Sequence, residues 1–139
     1  MTNDLSYILY VEDSKLEIMR FKMALETNQY TNKVEIAMNG EEGLTFLNKN
    51  RHHLPKIIVL DLKMPIMNGL EFLEQIKKDP TLQRIPTIIL TTSENEKDIE
   101  KCYHYQIAGY FAKPFGMKAY NTMVERIITY WRFSRVILS

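Results

Sequence analysis

The sequence predicts a three-layer α/β fold: a parallel five-stranded sheet covered by helices on both faces. Three observations carry that reading. Apolar strand-like runs alternate with helix-like segments five times along the chain. Strands separated by helices imply right-handed crossovers and parallel pairing. The runs Tyr7-Ile8-Leu9-Tyr10-Val11 and Lys56-Ile57-Ile58-Val59-Leu60 are almost continuously apolar, as strands buried on both faces are.

The strand candidates are 7–11, 33–37, 56–60, 87–90 and 110–112. After the first strand, Ser14-x-x-Glu17 reads as a capping box. The helix it opens carries Leu16, Met19, Met23 and Ala24 close to a 3.6-residue period, the expected core face. Lys33-Val34-Glu35-Ile36-Ala37 alternates polar and apolar, as an edge strand does. Asn39-x-x-Glu42 starts the second helix. The third strand is 56–60, and Leu70, Leu73 and Ile76 give the third helix its stripe. Pro80 and Pro86 bracket the loop before the fourth strand, and Ser93-x-x-Glu96 caps the fourth helix. Tyr120, Met123, Val124, Ile127, Ile128 and Trp131 form one face of the last and longest helix. Central first and third strands beside an edge second strand give the flavodoxin-like order 2-1-3-4-5, with its switch point between strands 1 and 3.

A length of 139 residues fits one domain, 1–139. The 18 Lys+Arg nearly cancel the 17 Asp+Glu, so there is no electrostatic case for nucleic acid or a membrane surface as partner. The single cysteine, Cys102, excludes an internal disulfide and fits a reducing compartment. It is expected to be a half-buried residue without redox function. No signal segment is read at the N-terminus, and no apolar run approaches the ~18 residues of a membrane span. A cytoplasmic location is expected. His52 and His53 read as loop residues, and the 8 methionines as adaptable core filler, not a binding surface.

Chemistry concentrates at strand ends. Asp61 closes the third strand before Leu-Lys-Met-Pro, and Glu12-Asp13 closes the first. Ligands of open α/β sheets sit outside the carboxyl ends of the strands at the switch point, where these acids converge. Three neighbouring carboxylates repel one another, and a divalent cation relieves the conflict. Oxygen-only ligands suit Mg²⁺, which also neutralises an incoming phosphoryl group, so that Asp61 can act as a nucleophile on phosphorus. Thr91 ends the fourth strand with a hydroxyl able to donate. Lys113, after the fifth strand, can pair with Asp61 and later with phosphoryl oxygens.

Glu12-Asp13, Asp61-Leu-Lys-Met-Pro-Ile-Met-Asn-Gly69, Thr91-Thr92 and Lys113-Pro114-Phe115 closely resemble the receiver domains of two-component response regulators. The resemblance spans essentially the whole chain. It implies that Asp61 is the phosphoacceptor, that Asp13 ligates Mg²⁺ directly and Glu12 through water, and that the Lys63 backbone carbonyl is a further ligand. Thr91 and Lys113 match the switch hydroxyl and the family lysine, Tyr110 the switch aromatic, and Gly69 the turn glycine. Lys63 and Ser93 occupy positions that tune hydrolysis in this family. Asp79-Pro-Thr-Leu-Gln-Arg-Ile-Pro86, Leu90-Thr-Thr-Ser93 and Tyr130-Trp131 resemble stand-alone receivers that partner phytochrome-type histidine kinases. The ending Val136-Ile-Leu-Ser139 departs from the Leu-Pro finish of that subgroup.

The implied function is that of a signalling domain, not an enzyme with an external substrate. It takes a phosphoryl group from a sensor histidine kinase and switches contacts with a downstream protein target through the fourth helix, fifth strand and fifth helix. The alternative is a phosphoryl shuttle in a multistep phosphorelay. The apolar segment 131–139 is expected to dock on a second subunit, giving a homodimer, or on a partner; the rival is that it folds back. A haloacid-dehalogenase-type phosphatase needs an Asp two residues after the nucleophile, where Lys63 stands. A flavodoxin needs a Ser/Thr-rich first loop, where Glu12-Asp13 would repel phosphate. No residues are left over for a DNA-binding domain.

Overall fold

Every residue of β1 (Ile8–Val11) and β3 (Ile57–Leu60) is buried, which their unbroken apolar runs require of strands covered on both faces. The computed structural model describes residues 6–135. Between and after those strands come α1 (Lys15–Thr27), β2 (Val34–Ala37), α2 (Gly40–Lys49), α3 (Gly69–Lys78), a 3₁₀ turn at Leu82–Arg84, β4 (Thr87–Thr91), α4 (Glu96–His104), β5 (Gly109–Ala112) and α5 (Met117–Phe133). The sheet is parallel throughout, in the order β2-β1-β3-β4-β5. This is the flavodoxin-like (βα)₅ arrangement, with β2 at one edge.

Side chains alternate across the strands and divide the core in two. Leu9, Val11, Ile58, Leu60 and Ile89 pack with Leu47 of α2, Phe72, Leu73 and Ile76 of α3, and Cys102 of α4. Ile8, Tyr10, Val59, Ile88 and Leu90 pack with Phe21, Ala24 and Leu25 of α1 and with Tyr120, Val124, Ile127 and Ile128 of α5. Parallel register sets Val11 against Leu60, so the residues that follow, Glu12 and Asp61, leave the sheet side by side.

Three local expectations are corrected. Leu16, Met19 and Met23 are 71%, 57% and 52% exposed. The α1 sequence holds two interleaved apolar stripes, and the one containing Phe21 and Leu25 wins, because Phe21 packs against Tyr10, ring centroids 4.5 Å apart and planes tilted by 48°. Methionine therefore also serves the surface. The α4 cap is Asn95, whose side chain accepts from the Lys97 N–H, and not Ser93. Cys102 is fully buried, and burial pushes its thiol up to about 11.

Other signals hold. Ser14 and Asn39 cap α1 and α2, although the Ser14-x-x-Glu17 box closes on one side only because the Ser14 N–H donates to Glu12 Oε2. A reciprocal capping box between Asn68 and Glu71, absent from the sequence reading, starts α3. His52 and His53 lie in an exposed turn. Trp131, Arg132 and Phe133 form the last turn of α5, with Trp131 half-buried against the α1/α5 core. Of the apolar segment 131–139, residues 136–139 lie outside the described residues. Among the described residues no helix is long and apolar enough to cross a membrane.

Candidate functional site

The carboxyl edge of the sheet gathers the acids. Glu12 follows β1 and its N–H donates to the Ala37 carbonyl at 2.9 Å; Asp61 follows β3 and its N–H donates to the Val11 carbonyl at 3.0 Å. These ladder bonds fix both backbones. One carboxylate oxygen from each of Glu12, Asp13 and Asp61 lies within 4.8 Å of the other two. Glu12 and Asp61 are buried, and Asp13 is half-buried. Gly69 holds the loop that returns over Asp61: its N–H donates to the Leu62 carbonyl at 3.0 Å, and a Cβ there would come within 2.8 Å of the Leu62 Cα. Glycine is needed for close approach, not for an unusual φ.

Glu12 shows the strain of crowding. Burial pushes its carboxyl up to about 7, opposed by the Lys113 hydrogen bond and reinforced by the charge of Asp61. Its Oε1 accepts from Lys113 Nζ at 2.6 Å and from the Tyr10 hydroxyl at 3.3 Å, and its Oε2 accepts from the Ser14 N–H at 3.2 Å. Three carboxylates this close, one of them with its proton affinity raised by burial, are short of positive charge. That is the chemistry a hard divalent cation answers, so the residues present fit such an ion.

Lys113 follows β5, with its N–H donating to the Thr91 carbonyl at 2.7 Å. Its side chain is only 3% exposed. The expected pairing with Asp61 is not what the structure shows: the ammonium sits on Glu12 and lies 3.4 Å from Glu17 Oε1. A buried carboxylate has no water to replace a lost cation, so it outcompetes a neighbour for one.

The other edge of the pocket is built on β4 and β5. Thr91 is buried at the end of β4, and its Oγ1 accepts from the Ser93 N–H at 3.4 Å. Tyr110 is half-buried, its hydroxyl donating to the Ser93 carbonyl at 2.8 Å; burial raises its pKa. Ser93 Oγ donates to Asp98 Oδ2 at 2.8 Å. Ser93 thus joins Thr91, Tyr110 and α4, a node hidden from the sequence because its spacing also reads as a cap. Lys63 is exposed two residues beyond Asp61.

A crowded acidic pocket at the switch point of a 2-1-3-4-5 sheet, with a lysine and a hydroxyl from the last two strands, defines a phosphoryl-handling signalling domain. The profile of the response regulator receiver domain family matches residues 8–125, and the chain belongs to that family. Response regulator Rcp1 of Synechocystis sp. is 34% identical over 134 residues, covering 94% of this chain and 91% of Rcp1. The probable methanogenesis regulatory protein FilR2 of Methanothrix harundinacea is 33% identical over 127 residues, covering 89% and 82%. The crystal structure of Mn²⁺-bound Rcp1 superposes with a TM-score of 0.85 at 32% identity, covering 95% of this chain and 99% of that one. That of the phosphorylated cyanobacterial phytochrome response regulator RcpA does so at 0.87 and 32%, covering 96% and 99%.

Proposed function

We propose that Asp61 is the phosphoacceptor, that Glu12, Asp13, Asp61 and the Lys63 backbone carbonyl hold Mg²⁺, and that the donor is the phosphohistidine of a sensor histidine kinase. The observation that carries this reading is the convergence of three carboxylates at the ends of β1 and β3. When bound, the cation neutralises the charge of the acids and of the arriving phosphoryl group. An Asp61 carboxylate oxygen forms a bond to phosphorus while the donor's P–N bond breaks. The electron pair returns to the imidazole nitrogen, which takes up a proton. Lys113 and the Thr91 hydroxyl then donate to the phosphoryl oxygens.

The switch follows from the Ser93 node. Drawing Thr91 toward the phosphoryl group disturbs the Thr91–Ser93–Tyr110 bonds and biases α4, β5 and α5, the face a downstream protein target reads. Exposed Leu16 and Met19 in the first turns of α1, which follows Glu12-Asp13, and Phe115, two residues after Lys113, offer the kinase an apolar docking rim. The whole chain acts as one cytoplasmic receiver domain. Exposed Tyr130 and Phe133 at the end of α5 support self-association there, which sedimentation of a Phe133→Ser variant tests.

Acetyl phosphate with Mg²⁺ is expected to label the wild type and not Asp61→Asn; label retained in that variant overturns the assignment. Lys63→Ala is expected to alter phosphoryl lifetime more than yield, and an unchanged decay rate argues against a role for that side chain.

A further inference from the structure

Glu17 stands at the fourth position of Ser14-x-x-Glu17, where a capping box would turn its carboxylate back to the Ser14 N–H. That N–H is already taken by Glu12 Oε2 at 3.2 Å. Only half the box forms: the Glu17 N–H donates to Ser14 Oγ at 3.3 Å, and the Glu17 carboxylate is released toward the interior. Its Oε1 is buried and, among the described residues, makes no hydrogen bond. Two cations are near that oxygen, Lys113 Nζ at 3.4 Å and Arg20 Nη1 at 3.8 Å.

Arg20 is engaged elsewhere. Its Nη2 donates to the carbonyls of Pro114 at 2.5 Å and Phe115 at 3.0 Å, and its guanidinium lies 4.0 Å over the Tyr120 ring. These contacts tie α1 to the two residues immediately after Lys113. They hold α1, and Glu17 with it, beside the Lys113 side chain, whose flexible stem lets the ammonium change partners. That ammonium carries three donors, with one strong bond, to Glu12.

We propose that Glu17 is a positioning residue for Lys113, a competing counter-charge that holds the ammonium on the α1 side and limits how readily it reaches a phosphoryl group on Asp61. This rests on the reading of Asp61 as acceptor and Lys113 as its cationic partner. A phosphoryl group must draw Lys113 away from carboxylates already facing it. Glu12 belongs to the acidic cluster, whereas Glu17 lies outside it, and among the described residues its Oε1 has only the longer contact with Arg20 Nη1 besides Lys113. Removing the Glu17 charge lowers the cost of that move and speeds transfer.

The test uses the full chain and two variants, Glu17→Gln and Glu17→Asp. Initial labelling rates with acetyl phosphate and Mg²⁺ are expected to rise on the order of five-fold in Glu17→Gln, the coupling typical of side chains in contact, with Glu17→Asp in between. In metal-free protein carrying ζ-¹⁵N lysine, the Lys113 ammonium resonance is expected to shift and exchange its protons faster in Glu17→Gln. An unchanged labelling rate overturns the inference. So does a changed rate with an unmoved Lys113 resonance, which assigns the effect to the packing of α1. A wild type that takes no label sinks the Asp61 reading itself, an outcome distinct from equal labelling of wild type and Glu17→Gln.

Discussion

Glu12 and Asp79 are both carboxylates with displaced proton affinities, and they are displaced in opposite directions at opposite ends of the sheet. Glu12, at the carboxyl edge, is pushed up to about 7 by burial, with the charge of Asp61 adding to it. Asp79, where α3 ends at the amino edge, is held well below the usual carboxylate range, first by the Arg51 hydrogen bond and then by the Leu82 N–H. Asp79 Oδ1 accepts from the Thr81 and Leu82 N–H groups at 2.9 and 3.0 Å, and Oδ2 meets Arg51 Nη2 at 2.5 Å. One acid has both carboxylate oxygens answered by donors, two of them backbone N–H groups, so it stabilises the fold. The other is crowded by its own kind, which costs stability and reserves a place for positive charge. The contrast separates the end of the molecule proposed to do chemistry from the end that holds it together.

The largest break in that contrast comes from Asp61→Asn. Acetyl phosphate labelling is expected to fall by more than about 100-fold, since the proposed nucleophile is gone. The same change removes the like charge beside Glu12, so the metal-free protein is expected to gain stability by up to about 3 kcal/mol, the repulsion of unit charges about 5 Å apart at an effective dielectric constant of about 20. A urea midpoint that falls in metal-free Asp61→Asn would mean that the acidic end is not crowded.

Cation and proton compete for the same end. Mg²⁺ at about 100 times its dissociation constant is expected to raise stability by roughly 2.7 kcal/mol. Without metal, the pH dependence has a definite sign. Glu12 has a raised folded-state pKa, so its contribution is fully present below its ordinary value of 4.5 and lost as pH rises through about 7. Asp79 has a lowered one, so its contribution is present above its ordinary 3.8 and lost as pH falls below it. Urea midpoints across pH should show both limbs. Glu12→Gln flattens the one between about 4.5 and 7, and Asp79→Asn flattens only the acid one.

Asp79→Ala addresses the structural end alone. Losing the side chain that answers the Thr81 and Leu82 N–H groups is expected to cost about 1 kcal/mol, as loss of a cap does, while labelling at Asp61 stays at the wild-type rate. A change in labelling would join two ends that the contrast keeps apart.

Much of this was legible in the chain. Apolar runs separated by capped helices gave the topology, and an alternating second strand gave the edge. Acids directly after Val11 and Leu60 gave the pocket, because parallel register aligns strand ends without any knowledge of loops. What stayed hidden depends on competition between equivalent choices. Periodicity allowed two faces for α1, and only the contact of Phe21 with Tyr10 decides between them. Ser93 and Asn95 both offer a cap, and the tie is broken by Asp98, which takes the Ser93 hydroxyl. Lys113 had several carboxylates within plausible reach. Its choice of Glu12 rests on relative burial, which no local pattern encodes.

The acidic end also carries backbone strain. Ile66 has φ 68°, and the Met67 N–H donates to the Pro65 carbonyl at 2.7 Å, a tight γ-turn between Asp61 and α3. A β-branched residue in the left-handed region is disfavoured, and Ile66 is 76% exposed, so burial returns little for that cost. Ile66→Gly puts a residue without a Cβ penalty in the same place and is expected to raise stability by up to about 1 kcal/mol. Asp61 labelling should persist, because the turn is kept. A raised urea midpoint with normal labelling would show that this strain is separable from the chemistry. A raised midpoint with slowed labelling would instead make the strained turn part of how Asp61 is presented.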